Sequence, residues 1–160
     1  MKLALISLGC SKNLVDSEHY LGILSKRKGM ELTSELSEAD IVIVNTCGFI
    51  GDAKEESIET ILEVSEFKET GNLKKLIVAG CLAQKYSEEI LKELPEVDAV
   101  IGTGDIDKIE KVVDEILENK KVVETKNMTF LANANTERVL TTASHTAYLK
   151  ISEGCNRACT

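Results

Sequence analysis

Hydrophobic positions follow two alternating rhythms along this chain. Mostly apolar runs stand at about residues 3–9, 41–47 and 75–81, and between them apolar residues return every three or four positions. The runs predict buried strands, and the wider spacing predicts amphipathic helices. In SKNLVDSEHYLGILSKRKG, residues 11–29, Leu14, Tyr20, Leu21 and Leu24 share a helical spacing, with basic residues in the last turn and Gly29 as the stop. MELTSEL reads as a short strand, and EAD turns the chain into the run at 41–47. DAKEESIETILEVSEFKETG predicts the clearest helix, with acids in its first turns, Ile58, Ile61, Leu62 and Val64 on the buried side, and Gly71 at its end. The strand KLIVAGC, the helix SEEILKELPE, the strand DAVIGTG, the helix DIDKIEKVVDEILENK and the strand KKVVET complete the alternation.

Strands buried on both faces and separated by helices predict an α/β doubly wound fold. Its sheet should be mainly parallel with helices on both faces, in flavodoxin-like or Rossmann-like order. Residues 126–146, KNMTFLANANTERVLTTASHT, are polar and break the rhythm. We therefore expect a main domain over residues 1–128, a linker over 129–146, and a further unit over 147–160 that opens with AYLKIS as its first strand.

Composition narrows the class. The 160 residues suffice for one sizeable core, and the charged and apolar content is that of an ordinary globular chain, not a disordered one. The apolar run after Met1 is too short for a signal peptide, and no run reaches membrane-spanning length, so a cytoplasmic protein with no membrane partner is expected. A net charge of −8 weighs against a broad phosphate-binding face. Five cysteines, an odd number widely spaced, argue against a secreted disulfide framework and for thiols kept reduced for metal or catalysis.

Cysteines end all three long strands: Cys10 in LALISLGCS, Cys47 in IVIVNTCGF and Cys81 in KLIVAGCLA. Parallel strands deliver their carboxyl ends to one edge, where ligands gather. In the order 2-1-3-4-5 these three strands are neighbours, about 4.8 Å apart, so thiols far apart in sequence can meet. Gly9, Gly48 and Gly80 beside them let backbone approach closely. A single buried cysteine is an ordinary apolar residue; the repetition is what points to a ligand set. Three soft thiolates suit zinc or an iron–sulfur cluster. No fourth ligand is evident, since His19 on the first helix and His145 in the linker read as solvated. An open metal position is the mark of a site that does chemistry, and a [4Fe–4S] cluster with one iron not held by protein fits this count.

Other features carry less. GTGD at 102–105 lacks the third glycine of a dinucleotide loop and reads as a strand-to-helix turn capped by Asp105. Asn13, Asp16 and Ser17 fall where a helix begins, so capping is the plain reading. Asn13, with Asn45 and Thr46 before Cys47, is also placed to line the site behind the ligands.

EGCNRACT supplies Cys155 and Cys159, whose C-x3-C spacing is weak alone. Together GCSKNLVDSE, VNTCGFI, VAGCLAQ and YLKISEGCNRAC resemble, in this order and over essentially the whole chain, the methylthiotransferase family of radical S-adenosyl-L-methionine enzymes. GCSKN, where the tRNA-modifying branch shows Gln and Met after the cysteine, is similar to the branch that modifies an aspartate of ribosomal protein S12. The resemblance implies that Cys10, Cys47 and Cys81 hold an auxiliary [4Fe–4S] cluster whose free iron takes the sulfur or methylthio group. Cys155 and Cys159, with a third cysteine two residues past Thr160, would hold the second cluster, which cleaves S-adenosyl-L-methionine. It also implies an electron donor, a sulfur donor and a barrel beginning at AYLKIS, so this chain by itself is expected to be inactive. The alternatives are a tRNA adenosine methylthiotransferase and, in another class, a non-catalytic zinc-stabilised or flavodoxin-like binding domain.

Overall fold

The three cysteine-ended runs become three adjacent strands. In the computed structural model, which describes residues 1–126, 130–133 and 135–152, β1 (Lys2–Ser7), β3 (Ile41–Thr46) and β4 (Lys75–Gly80) lie side by side. With β2 (Glu31–Leu32), β5 (Ala99–Ile101) and β6 (Val122–Glu124) they form a six-stranded sheet in the order β2-β1-β3-β4-β5-β6. Every pairing is parallel. The expected flavodoxin-like order is thus present, extended by a sixth strand.

Alternation along the strands divides the core. Leu3, Ile41, Ile43, Ile77 and Ile101 pack on one face with α1 (Ser11–Ser25) and α6 (Ile109–Leu117). Ala4, Val42, Val44, Leu76 and Val78 pack on the other with α2 (Gly51–Ser65), α4 (Cys81–Lys85) and α5 (Ser87–Glu93). The short α3 (Phe67–Thr70) follows α2, where one continuous helix was expected.

Several expectations need correction. The strand predicted at 30–36 keeps only the two residues of β2. Ile58 and Leu62, expected in the core, are 42% and 45% exposed, while Ser57, Ile61 and Val64 form the buried stripe of α2. Asp105 makes no side-chain cap; a 3-10 turn, Ile106–Lys108, separates it from α6. Residues 147–152, expected to begin a strand, pair with nothing in the sheet and have no regular structure.

The largest difference concerns α1. Leu14 and Leu21 are only half-buried, whereas Asn13, Asp16, Ser17, Glu18 and His19 are buried with Tyr20 and Leu24. Residues 137–150 form a strap against α1, meeting Asp16, Glu18, His19 and Gly22. The strap crosses at Gly22, where an added Cβ would stand 2.4 Å from the Arg138 nitrogen. The fully buried Glu18 carboxylate accepts from Arg138 Nε (2.9 Å), Arg138 Nη2 (2.6 Å), Thr141 N (2.7 Å) and Thr141 Oγ1 (3.0 Å). Lys150 Nζ reaches Asp16 Oδ1 at 2.6 Å, and His19 Nδ1 donates to the Glu137 carbonyl at 2.8 Å. Burial alone would raise the Glu18 carboxyl, but the hydrogen bonds from Thr141 and Arg138 outweigh it and hold it below the usual carboxylate range.

Candidate metal centre

Strand register brings the cysteines together. Ser7 pairs with Asn45, and Thr46 with Gly80, so the chain leaves β1, β3 and β4 at one edge. Cys10 is the N-cap residue of α1, Cys47 is the first residue past β3, and Cys81 is the first residue of α4. All three are free thiols; Cys10 and Cys81 are exposed and Cys47 is half-buried.

Glycine makes the crowding possible. Gly9 has φ +86° and Gly80 φ +94°, left-handed values that β-carbons disfavour. A Cβ on Gly9 would meet Cys47 Cβ at 2.6 Å and Sγ at 3.1 Å; one on Gly80 would meet Asn45 Oδ1 at 2.3 Å. One on Gly48 would stand 2.9 Å from Leu82 Cα, beside Cys81. Each loop therefore packs directly on its neighbour.

A buried polar net lies under the rim. Asn13 caps nothing, contrary to the plain reading; its Nδ2 donates to the Leu8 carbonyl (2.9 Å) and the Thr46 carbonyl (3.0 Å), and its Oδ1 faces Cys81 Sγ at 3.8 Å. Asn45 Nδ2 donates to the Asn13 carbonyl (2.8 Å) and Ser17 Oγ (2.9 Å), and Ser17 Oγ donates to Ser7 Oγ (2.9 Å). Thr46 Oγ1 donates to the Ala79 carbonyl at 2.5 Å, tying β3 to β4. Asn45 Oδ1 is buried without a hydrogen-bond partner among the described residues. Ser57, not singled out from the sequence, accepts from Cys47 N–H at 3.1 Å and donates to the Ala53 carbonyl at 2.7 Å, fixing the Cys47 loop to α2. Its only signal was a serine on the buried stripe of an amphipathic helix.

Burial first, then negative charge at Cys47, Cys10 and Asp16, pushes the Cys81 thiol up, with Lys12 opposing. Among the described residues no three His, Cys, Asp or Glu side chains form a group that could hold a metal ion. A polynuclear guest makes a different demand, because each of its irons takes its own thiolate and the sulfurs stand further apart. The donor chemistry fits such a cluster: three soft thiols, converging from three loops, with no fourth ligand beside them among the described residues.

The remaining candidates lie elsewhere. His19 is buried under the strap, not solvated as expected, and His145 is exposed. Cys155 and Cys159 lie outside the described residues. A shallow cavity of about 200 Å³ lined by Ser7, Gly9, Cys10, Ser11, Leu14 and Tyr148 opens beside Cys10. A groove of about 300 Å³ between α2 and α5 is lined by Lys54, Ile58, Leu82, Tyr86 and Glu89 among others, and by none of the three cysteines. No described helix is long and apolar enough to cross a membrane.

Fold and rim define a class: a doubly wound α/β domain that presents a triad of thiols at the carboxyl edge of its sheet. The profile described as "Uncharacterized protein family UPF0004" matches residues 2–102, and the chain belongs to that family, the N-terminal domain of methylthiotransferases. It is 55% identical over 160 residues to the protein named ribosomal protein uS12 methylthiotransferase RimO of Lachnoclostridium phytofermentans, and 53% identical over 160 residues to that of Clostridioides difficile. Each alignment covers 100% of this chain and 36% of the relative. Over 159 residues it is 51% identical to the protein of the same name from Pelotomaculum thermopropionicum, covering 99% of this chain and 36% of that relative. The chain thus spans about a third of the length of the curated relatives it matches.

Proposed function

We propose that this chain is the cluster-bearing N-terminal part of a cytoplasmic radical S-adenosyl-L-methionine methylthiotransferase that adds a methylthio group to an aspartate of ribosomal protein S12. The observation that carries the reading is the delivery of Cys10, Cys47 and Cys81 to one rim by three neighbouring parallel strands. The names of relatives more than 50% identical support the substrate. Cys10, Cys47 and Cys81 would hold the auxiliary [4Fe–4S] cluster, and Cys155 and Cys159, with a third cysteine past Thr160, the second. When bound, the clusters supply an open iron for sulfur and the electron, passed on from an external donor, that splits S-adenosyl-L-methionine. This chain's residues hold and orient: Gly9 and Gly80 let the loops meet, Ser57 fixes the Cys47 loop, and Asn13, Asn45 and Thr46 brace the rim from beneath.

Anaerobic reconstitution with iron and sulfide tests the site. The expected product is brown, with iron and sulfide in a near-equal ratio that survives gel filtration. A colourless protein holding stoichiometric zinc would overturn the cluster. The target is tested separately, by assaying the longer protein against S12 and against tRNA; modification of tRNA alone would retire the ribosomal assignment.

A further inference from the structure

The geometry points to Asn13 as the positioning residue that sets the spacing of the three thiols. Among the described residues, Asn13 is the one side chain hydrogen-bonded to all three cysteine-bearing loops. Its amide meets Leu8, two residues before Cys10; Thr46, the residue before Cys47; and Cys81 itself.

The orientation of this amide follows from its partners. Carbonyl oxygens only accept, so the Nδ2 group must face Leu8 and Thr46, which leaves Oδ1 turned to the Cys81 thiol. Asn13 is 2% exposed, and water cannot stand in for these contacts. It is itself fixed from below, because Asn45 on β3 donates to its backbone carbonyl at 2.8 Å, and it rides on the first turn of α1. Space is fixed as well: a Cβ on Gly9 would come within 3.3 Å of Asn13 Nδ2. By contrast, Ser57 touches only the Cys47 loop, and Thr46 Oγ1 ties β3 to β4 without reaching Cys10. Losing the Asn13 amide would remove this side-chain tie shared by the three loops while leaving the sheet, with its own ladder, in place. The residue thus acts on metal uptake through the ligands and touches no substrate.

The role in cluster uptake rests on the cluster reading above, so the test includes a probe that needs the thiols and no iron. Dibromobimane bridges two neighbouring thiols, each thiolate displacing one bromide. In a Cys155→Ser, Cys159→Ser background, the rate of bimane bridging and iron–sulfide loading are measured for the wild-type rim, Asn13→Ala and Asn13→Asp. Asp fills the same space but offers only acceptors to two carbonyls, so both variants are expected to bridge at least tenfold more slowly. Both should also lose their cluster at least tenfold faster to a chelator, with the far-ultraviolet dichroism of the metal-free protein unchanged. Wild-type bridging rates in either variant would overturn the proposal, as would failure of the wild-type rim to bridge at all. A rim that bridges but takes no iron would instead remove the cluster and leave the spacing role standing. Should the variants unfold, the side-chain amide of Asn13 in the wild-type chain gives the answer by nitrogen-15 NMR. It should be protected from exchange; rapid exchange would overturn the assignment.

Discussion

Gly9 lies so close to Cys47 that a β-carbon on it would stand 2.6 Å from the Cys47 Cβ. With φ at +86°, the same position also disfavours any side chain on backbone grounds. Gly9→Ala should therefore cost about 3 kcal/mol, combining left-handed strain with overpacking, and should push the Cys10 and Cys47 loops apart. Urea unfolding measures the first effect and iron retention the second. A loss below about 1 kcal/mol would mean the loop yields easily.

The two sets of cysteines should separate cleanly. Cys10→Ala, Cys47→Ala or Cys81→Ala is expected to abolish iron binding by the reconstituted chain, whereas Cys155→Ala or Cys159→Ala leaves it intact. Iron analysis after desalting decides the matter; equal loss from both sets would show that the ligands are grouped wrongly.

Glu18 anchors the strap with no exposure of its own. Glu18→Ala leaves Arg138 and the Thr141 N–H without their carboxylate and should cost about 3 kcal/mol, the lower end for breaking a buried ion pair, since Arg138 can turn toward water. Limited proteolysis should then cut within residues 137–150 at least several-fold faster than in the parent chain. An unchanged cleavage pattern would show that the strap is held by other contacts.

The same carboxylate gives stability a pH dependence. Its folded-state pKa lies below the unfolded value, so its contribution is fully present above the unfolded carboxylate pKa of about 4.3 and is lost as pH falls through the folded one. Asp40, held low by hydrogen bonds from Lys74 and the Lys2 N–H, acts in the same sense. Unfolding free energy should therefore drop below about pH 4, and Glu18→Gln should flatten part of that drop. An identical acid limb in the variant would exclude Glu18 as its source.

On α2, neighbouring residues should behave oppositely. Ile61 is 1% exposed and Leu62 45% exposed. Ile61→Ala should cost about 3 kcal/mol, and Leu62→Ala about 0.5 kcal/mol or less. Thermal melting of the two variants checks the helix's orientation, and equal losses would show it to be rotated.

Sequence periodicity was enough to reveal the sheet, its winding and the rim, because each depends on short local patterns: apolar runs, their punctuation, and a cysteine at each end. Ile58 and Leu62 misled because their spacing fits a helix stripe, yet the stripe that packs on the sheet is centred on Ser57, Ile61 and Val64. Nothing local marks Glu18, Asp16 and His19 as buried. Their cover comes from residues more than a hundred positions later, and polar side chains on a helix ordinarily meet water. Asn13 looked like a helix cap for the same reason, since its true partners, Leu8, Thr46 and Cys81, are adjacent only once three strands have paired.

Because each thiol arrives on a different strand, eighty residues must emerge from the ribosome before the third one exists, and the parallel ladder must close before the three can meet. Until then Cys10, Cys47 and Cys81 are thiols far apart along the chain and form no joint site. Whatever the rim carries can be received only once these three strands have paired.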